Sequence, residues 1–249
     1  MSSSADTAVE VSGLTKDFGP TRALDEATFN VARGEIFGLL GPNGAGKTTT
    51  MRILLTLLKP TAGTARVAGH DVTRDPVAVR ERVGWVPQEH TVDPLLTVAE
   101  NMTFMGGMYH LAPAAARRRA AQLLELAGLS GQSDKVAKVL SGGTRRKLEL
   151  AMSLVNVPAV LFLDEPTVGL DIAARRDLWA YVRQISQQGT TIVLTTHYLE
   201  EADALCDRVA IIDRGRIQAT GEPSELKLSY QASTLDDAFL AVTGQELAA

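Results

Sequence analysis

Gly41-Pro42-Asn43-Gly44-Ala45-Gly46-Lys47-Thr48 stands between a short apolar run, Glu35–Leu40, and a segment of helical character, Lys47–Leu58, stopped by Pro60 and Gly63. It fits G-x-x-x-x-G-K-[ST] at every fixed position. The glycines let the backbone curl so that successive N–H groups converge on a phosphate chain, and the following helix offers its positive end to the same anion. In that frame Lys47 reaches the β- and γ-phosphates of a nucleoside triphosphate, and the Thr48 hydroxyl is placed to coordinate Mg²⁺. A dinucleotide fingerprint fits less well, because Thr49 stands where a third small residue is needed.

Outward from this turn the chain alternates strands and helices, which predicts an α/β fold with a mostly parallel sheet covered on both faces. Val9–Leu14, Ala27–Val31, Thr64–Ala68 and Val83–Val86 read as strands. Between about Thr97 and Val155 the strand signal disappears. Thr97–His110 and Pro113–Ala127 have helical character, as does Thr144–Val155, so this stretch reads as a helical insert. Alternation then resumes with strand Val160–Leu163, helix Ile172–Gln187, strand Thr191–Thr195, helix Tyr198–Leu205 and strand Arg208–Ile212.

The apolar strand Val160–Leu163 delivers Asp164 and Glu165 to the sheet edge. Asp164 is placed to hold the Mg²⁺ shell, and Glu165, pointing the other way, to polarise a water for attack on the γ-phosphate. His197 follows the next apolar strand, where it can sense the γ-phosphate. Gln88, after Val83–Val86 and Pro87, can reach the metal or the attacking water.

Composition narrows the class. The 249 residues are 45% apolar and 22% charged, the mix of an ordinary globular domain. A net charge of −4 argues against coating nucleic acid, which is driven by many cations; Arg117-Arg118-Arg119 reads as a solvated helix face. Met1 to Asp6 is Ser-rich, with neither basic nor apolar signal region, and reads as a short unstructured lead. The apolar runs are far shorter than the ~20 residues a membrane helix needs, so any membrane contact goes through a partner. Cys206, the single cysteine, reads as a small buried filler.

Leu140-Ser141-Gly142-Gly143 completes a set. Taken in order, Phe18, Gly41–Thr48, Gln88, Leu140–Gly143, Asp164-Glu165, Gly169-Leu170-Asp171 and His197 resemble the landmarks of ABC transporter ATP-binding domains. The resemblance runs from about residue 8 to 228, with residues 229–249 as a C-terminal tail helix. It implies a P-loop NTPase core, an N-terminal antiparallel β portion and a helical subdomain at about 89–157. ATP and Mg²⁺ are then the expected ligands, bound by Gly41 through Thr49, with Thr48, Gln88 and Asp164 at the metal and Glu165, His197 and Gln88 in catalysis. Phe18 would stack on the adenine. Ser141, Gly142 and Gly143 would grip the γ-phosphate held by the opposite subunit, and Asp171 would link the two sites. The implied partners are transmembrane permease subunits and a second ATP-binding subunit, identical or paired, at the cytoplasmic face of the membrane.

Thr144 stands where the family usually carries Gln, and Arg145-Arg146-Lys147 follows. That continuation, and the ending Thr234–Gly244, resemble exporter subunits of the daunorubicin-resistance type. Leu235, Ala238, Phe239 and Val242 of the ending share one helical face, suited either to docking on the domain itself or to a partner. A soluble ABC-type ATPase acting on DNA or ribosomes is the alternative, but neither a long coiled-coil insertion nor a second ATPase domain is present. No Asn-Lys-x-Asp sequence occurs to read guanine, and Glu165 together with His197 disfavours a non-hydrolysing module.

Overall fold

Strands rich in Val, Ile, Leu and Phe pair into two sheets in the computed structural model, which describes residues 6–244. One is antiparallel, in the order β2 (Thr21–Ala32), β1 (Thr7–Phe18), β4 (Ala62–Val67), β5 (His70–Asp71). The other runs β10 (Arg216–Gly221), β9 (Arg208–Asp213), β3 (Ile36–Leu40), β8 (Thr191–Thr196), β7 (Val160–Asp164), β6 (Val83–Val86). Its neighbours are parallel except β9 and β10. Strands β3, β7 and β8 are buried at every position, which is why their centres read as apolar runs, with polar Asp164, Thr195 and Thr196 at the ends of β7 and β8.

Side-chain alternation along these strands divides the interior in two. Phe37, Leu39, Phe162 and Val193 face the antiparallel sheet and α1 (Lys47–Leu54), where Phe37 stacks on Phe29 at 5.5 Å. Leu40, Leu161, Leu163, Ile192 and Leu194 face the other way, onto α5 (Gly142–Ser153) and α6 (Ile172–Gln187) among others. Each such buried side chain contributes roughly 1.5–3 kcal/mol.

The helical insert comprises α3 (Val98–Met108), α4 (Pro113–Leu126) and α5, following α2 (Pro76–Arg80). Thr97 lies outside α3 as its cap, with Glu100 completing a capping box. Helix α1 ends at Leu54, four residues short of the expected Leu58. Thr56 takes a left-handed conformation (φ 62°), its N–H bonds Ile53 O, and Leu57 N–H bonds Arg52 O at 2.8 Å. This is a Schellman stop with threonine in the place glycine usually fills, so the apolar run Leu54–Leu58 gave no warning of it.

After α7 (Leu199–Leu205) come β10, α8 (Pro223–Ser229) and α9 (Leu235–Thr243). In α9, Leu235, Ala238 and Phe239 are fully buried in the main core, so the tail helix docks on its own domain. Cys206 is buried against Gly38, and burial pushes its thiol pKa well up, leaving it a packing residue. Most of the Ser-rich lead lies outside the described residues. Among the described residues no helix is long and apolar enough to cross a membrane.

Candidate functional site

Strand β3 ends at Leu40, and the chain turns at once under β9. A Cβ on Gly41 would lie 2.2 Å from Ile212 O, so the turn admits only glycine there. Gly46 has φ 111°, and a Cβ on it would meet Leu24 and the Ala23 carbonyl at 2.7 and 2.8 Å. These constraints set Lys47 as the first residue of α1. The first turn closes with Thr50 N–H on Gly46 O at 2.9 Å, and the amides ahead of it have no intrahelical acceptor. They are the donors a phosphate chain needs.

Lys47 is 5% exposed. It donates to Gly41 O at 2.7 Å and Pro42 O at 3.2 Å, and stands 3.6 Å from Glu165 Oε1. Burial pulls its pKa down, and the carboxylates of Glu165 and Asp164 act against that pull.

Asp164 ends β7 and accepts from the Thr195 hydroxyl at 2.5 Å. Glu165 follows in a left-handed conformation, φ 47°, a strained state for a non-glycine residue. Its N–H is held at 3.1 Å by both Thr195 O and Thr195 Oγ1. His197 Nδ1 stands 3.2 Å from Glu165 Oε1 without a directed hydrogen bond. Its ring packs on Tyr198, centroids 4.2 Å apart, and the Arg175 guanidinium lies over Tyr198 at 4.3 Å.

The result is a cleft of about 460 Å³. It is lined by the phosphate-turn residues Pro42, Asn43, Gly44, Gly46, Lys47, Thr48 and Thr49 together with Gln88, Glu165 and His197, and by Ala23 and Val168. Strands β3, β6, β7 and β8 all run parallel, so their C-terminal ends deliver these residues to one edge. A groove of similar size, about 440 Å³, lies at Glu10, Arg66 and Arg208 and takes none of them.

Other expected site residues lie outside the cleft. Phe18 ends β1, 49% exposed, with the Lys16 ammonium 5.1 Å from its ring. Ser141 caps α5, its oxygen accepting from Thr144 N–H at 3.3 Å and lying 2.8 Å from the Thr144 hydroxyl. Asp171 caps α6 by accepting from Ala174 N–H at 2.8 Å. The two helix starts touch: a Cβ on Gly143 would come within 2.9 Å of the Ala174 methyl. Ser141, Gly142, Gly143 and Asp171 thus belong to a second region, apart from the cleft lining.

Sequence reading missed the structural role of two residues. Thr195, an ordinary strand residue by sequence, hydrogen-bonds both Asp164 and Glu165. Arg146, taken as part of a basic run, is buried on α5, and its spacing to Leu150 and Ser153 on the same face was the available signal.

The sequence profile described as "ABC transporter" matches residues 24–168. The chain is 50% identical over 228 residues to the daunorubicin/doxorubicin resistance ATP-binding protein DrrA of Streptomyces peucetius, covering 92% of this chain and 69% of that protein. It is 47% identical to the Nod factor export ATP-binding protein I of Ralstonia nicotianae, covering 88% of this chain and 68% of the relative. Among solved structures, an ATP-binding subunit of an ABC transporter superposes with a TM-score of 0.83 at 28% identity, over 95% of this chain and 100% of that one. A dimeric ATP-binding cassette in a post-hydrolysis state with ADP and Pi gives 0.75 at 26% identity, over 86% and 98%.

Proposed function

Because this chain belongs to the ABC transporter family as an ATP-binding, ATP-hydrolysing subunit, we propose that it powers export by closing as a dimer over two ATP molecules and driving separate membrane-spanning subunits. The observation that carries the reading is the division of the site residues between two surfaces. Lys47, Glu165 and His197 meet in one cleft, whereas Ser141–Gly143 and Asp171 cap α5 and α6 outside it. A two-fold axis would lay the second surface of each copy on the cleft of the other. A relative solved as a dimer with ADP and Pi supports pairing, and the drug-resistance and Nod-factor relatives support export as the direction.

Within the cleft, Lys47 and the α1 amides would hold the β- and γ-phosphates, with Thr49 beside them. Glu165 would take the proton of the attacking water, a role supported by its place 3.6 Å from the Lys47 ammonium. His197, beside the same Glu165 oxygen as Lys47, would hold the γ-phosphate. Phe18 would cover the adenine. Ser141, Gly142 and Gly143 of the second copy would complete the γ-phosphate site. Among the described residues no cluster of three His, Cys, Asp or Glu side chains could hold a metal alone, so a divalent cation would be shared between the triphosphate and Thr48, Gln88 and Asp164. Mg²⁺, when bound, would neutralise developing phosphate charge.

The membrane partner would sit at the cytoplasmic face, against the hollow between core and insert. That hollow, about 150 Å³, is lined by Trp85, Pro87, Thr91, Met105 and Tyr109, next to Gln88. Turnover per chain, measured across protein concentrations, is expected to rise as dimers form. A turnover independent of concentration in a protein that stays monomeric would contradict the proposal, and stimulation by DNA or ribosomes would favour the soluble alternative.

A further inference from the structure

We propose that Arg146 is a positioning residue that fixes Glu165 and Gln88 relative to the start of α5, an inference that rests on Glu165 being the general base. Its side chain is 3% exposed and spends its donors on one small region. Nε donates to Pro166 O at 2.9 Å and Nη2 to Asp164 O at 3.1 Å, so the guanidinium grips the backbone immediately before and after Glu165. Nη1 donates to Pro87 O at 2.7 Å, the residue before Gln88, and to Glu149 Oε2 at 2.9 Å.

Glu149, 2% exposed, extends the clamp to the other side of Gln88. Its Oε1 accepts from Thr91 N–H at 3.0 Å and lies 2.9 Å from His90 Nδ1. The two α5 side chains therefore hold the segments flanking both Gln88 and Glu165. Only a planar fork with five donors reaches three carbonyls and a carboxylate at once; a lysine ammonium has one centre and three donors.

The backbone at Glu165 has reason to need holding. Its left-handed conformation persists only where surrounding contacts impose it, and Arg146 supplies contacts on both sides. A buried ion pair is also a poor way to gain stability, since apolar side chains of similar size commonly serve as well. The pair fits a geometric task better. Because Ser141 caps α5, a shift of this helix on meeting a second copy would reach the backbone on both sides of Glu165 through Arg146. The clamp thereby couples one nucleotide site to the other.

The test compares R146K, and the charge-free pair R146M/E149L, with wild type and with E165Q, using the full chain. ATP affinity by calorimetry is expected to stay within about twofold, while kcat falls by about tenfold or more with little change in KM and the Hill coefficient for ATP declines toward one. Lysine is not expected to rescue. The paired variant keeps a comparable melting midpoint, which separates positioning from folding. Full kcat in R146K or in the folded paired variant would overturn the assignment, as would equal losses of affinity and turnover. If E165Q itself turns over normally, the general-base reading fails, and the role given to Arg146 fails with it. If E165Q is arrested while R146K runs at full rate, only the present inference fails.

Discussion

Glu165→Gln is expected to retain ATP affinity, to lose turnover by about 10²- to 10⁴-fold, and to elute as a dimer when ATP is present. The amide fills the same space beside Lys47 and His197, whose atoms lie 3.6 and 3.2 Å from the carboxylate, so the cleft keeps its shape. What disappears is the acceptor for the water's proton. Loss of the negative charge also removes repulsion against a triphosphate in a poorly solvated cleft. Binding is preserved or improved while cleavage stops, and the closed pair accumulates. Size-exclusion chromatography and phosphate release together check this. A variant that stays monomeric with normal turnover would exclude Glu165 as the base.

Lys47→Ala acts on the preceding step. A charge-assisted bond to phosphate contributes about 1.5–3 kcal/mol, which converts to roughly 10- to 150-fold in Kd. A further loss follows from the carboxylates: without the ammonium, Glu165 and Asp164 face the anionic ligand with less compensation. The fold should survive, because beyond its ion pair with Glu165 the side chain holds two loop carbonyls, Gly41 O and Pro42 O. Calorimetric titration with ATP measures the effect. Unchanged affinity would remove Lys47 from the phosphate site.

How far the sequence carries depends on whether the signal is local. Strands β3, β7 and β8 are legible because parallel strands buried on both faces are mostly apolar at their centres. Helix α6 was found at its observed ends, since Asp171 caps one and Gly189 follows the other. Strand β10 escaped notice: Arg216-Ile217-Gln218-Ala219-Thr220-Gly221 is an edge strand, half exposed and largely polar, created by its pairing with β9. Helix α8 was also passed over, although Glu222, Pro223 and Glu225 spell a capping box with proline at the first turn. The end of α1 falls short of the expected Leu58 because a left-handed threonine, Thr56, stands where glycine usually marks a helix stop.

The site divides along the same line. The phosphate turn is legible alone, because G-x-x-x-x-G-K-[ST] between a strand and a helix is specific, whereas Asp164-Glu165, a common strand ending, gains meaning only beside it. Ser141 and Asp171 are ordinary helix caps by every local measure, and only family resemblance lifts them out. Arg146 was hidden differently. Its partners are carbonyls of residues 87, 164 and 166, distant in sequence and brought together only by the crossing of β6, β7 and α5.

The most direct measurement mixes two inactive chains, Lys47→Ala and Ser141→Arg. The first lacks a competent cleft and the second a competent capping surface, so neither should hydrolyse ATP alone. In a mixed pair, the cleft of the Ser141→Arg chain meets the intact Ser141 surface of the Lys47→Ala chain, and one working site is rebuilt. Recovery of turnover on mixing is the predicted result. If Ser141→Arg alone hydrolyses ATP at the wild-type rate, or if mixing the two inactive chains restores nothing although they demonstrably pair, two half-sites do not close around the nucleotide.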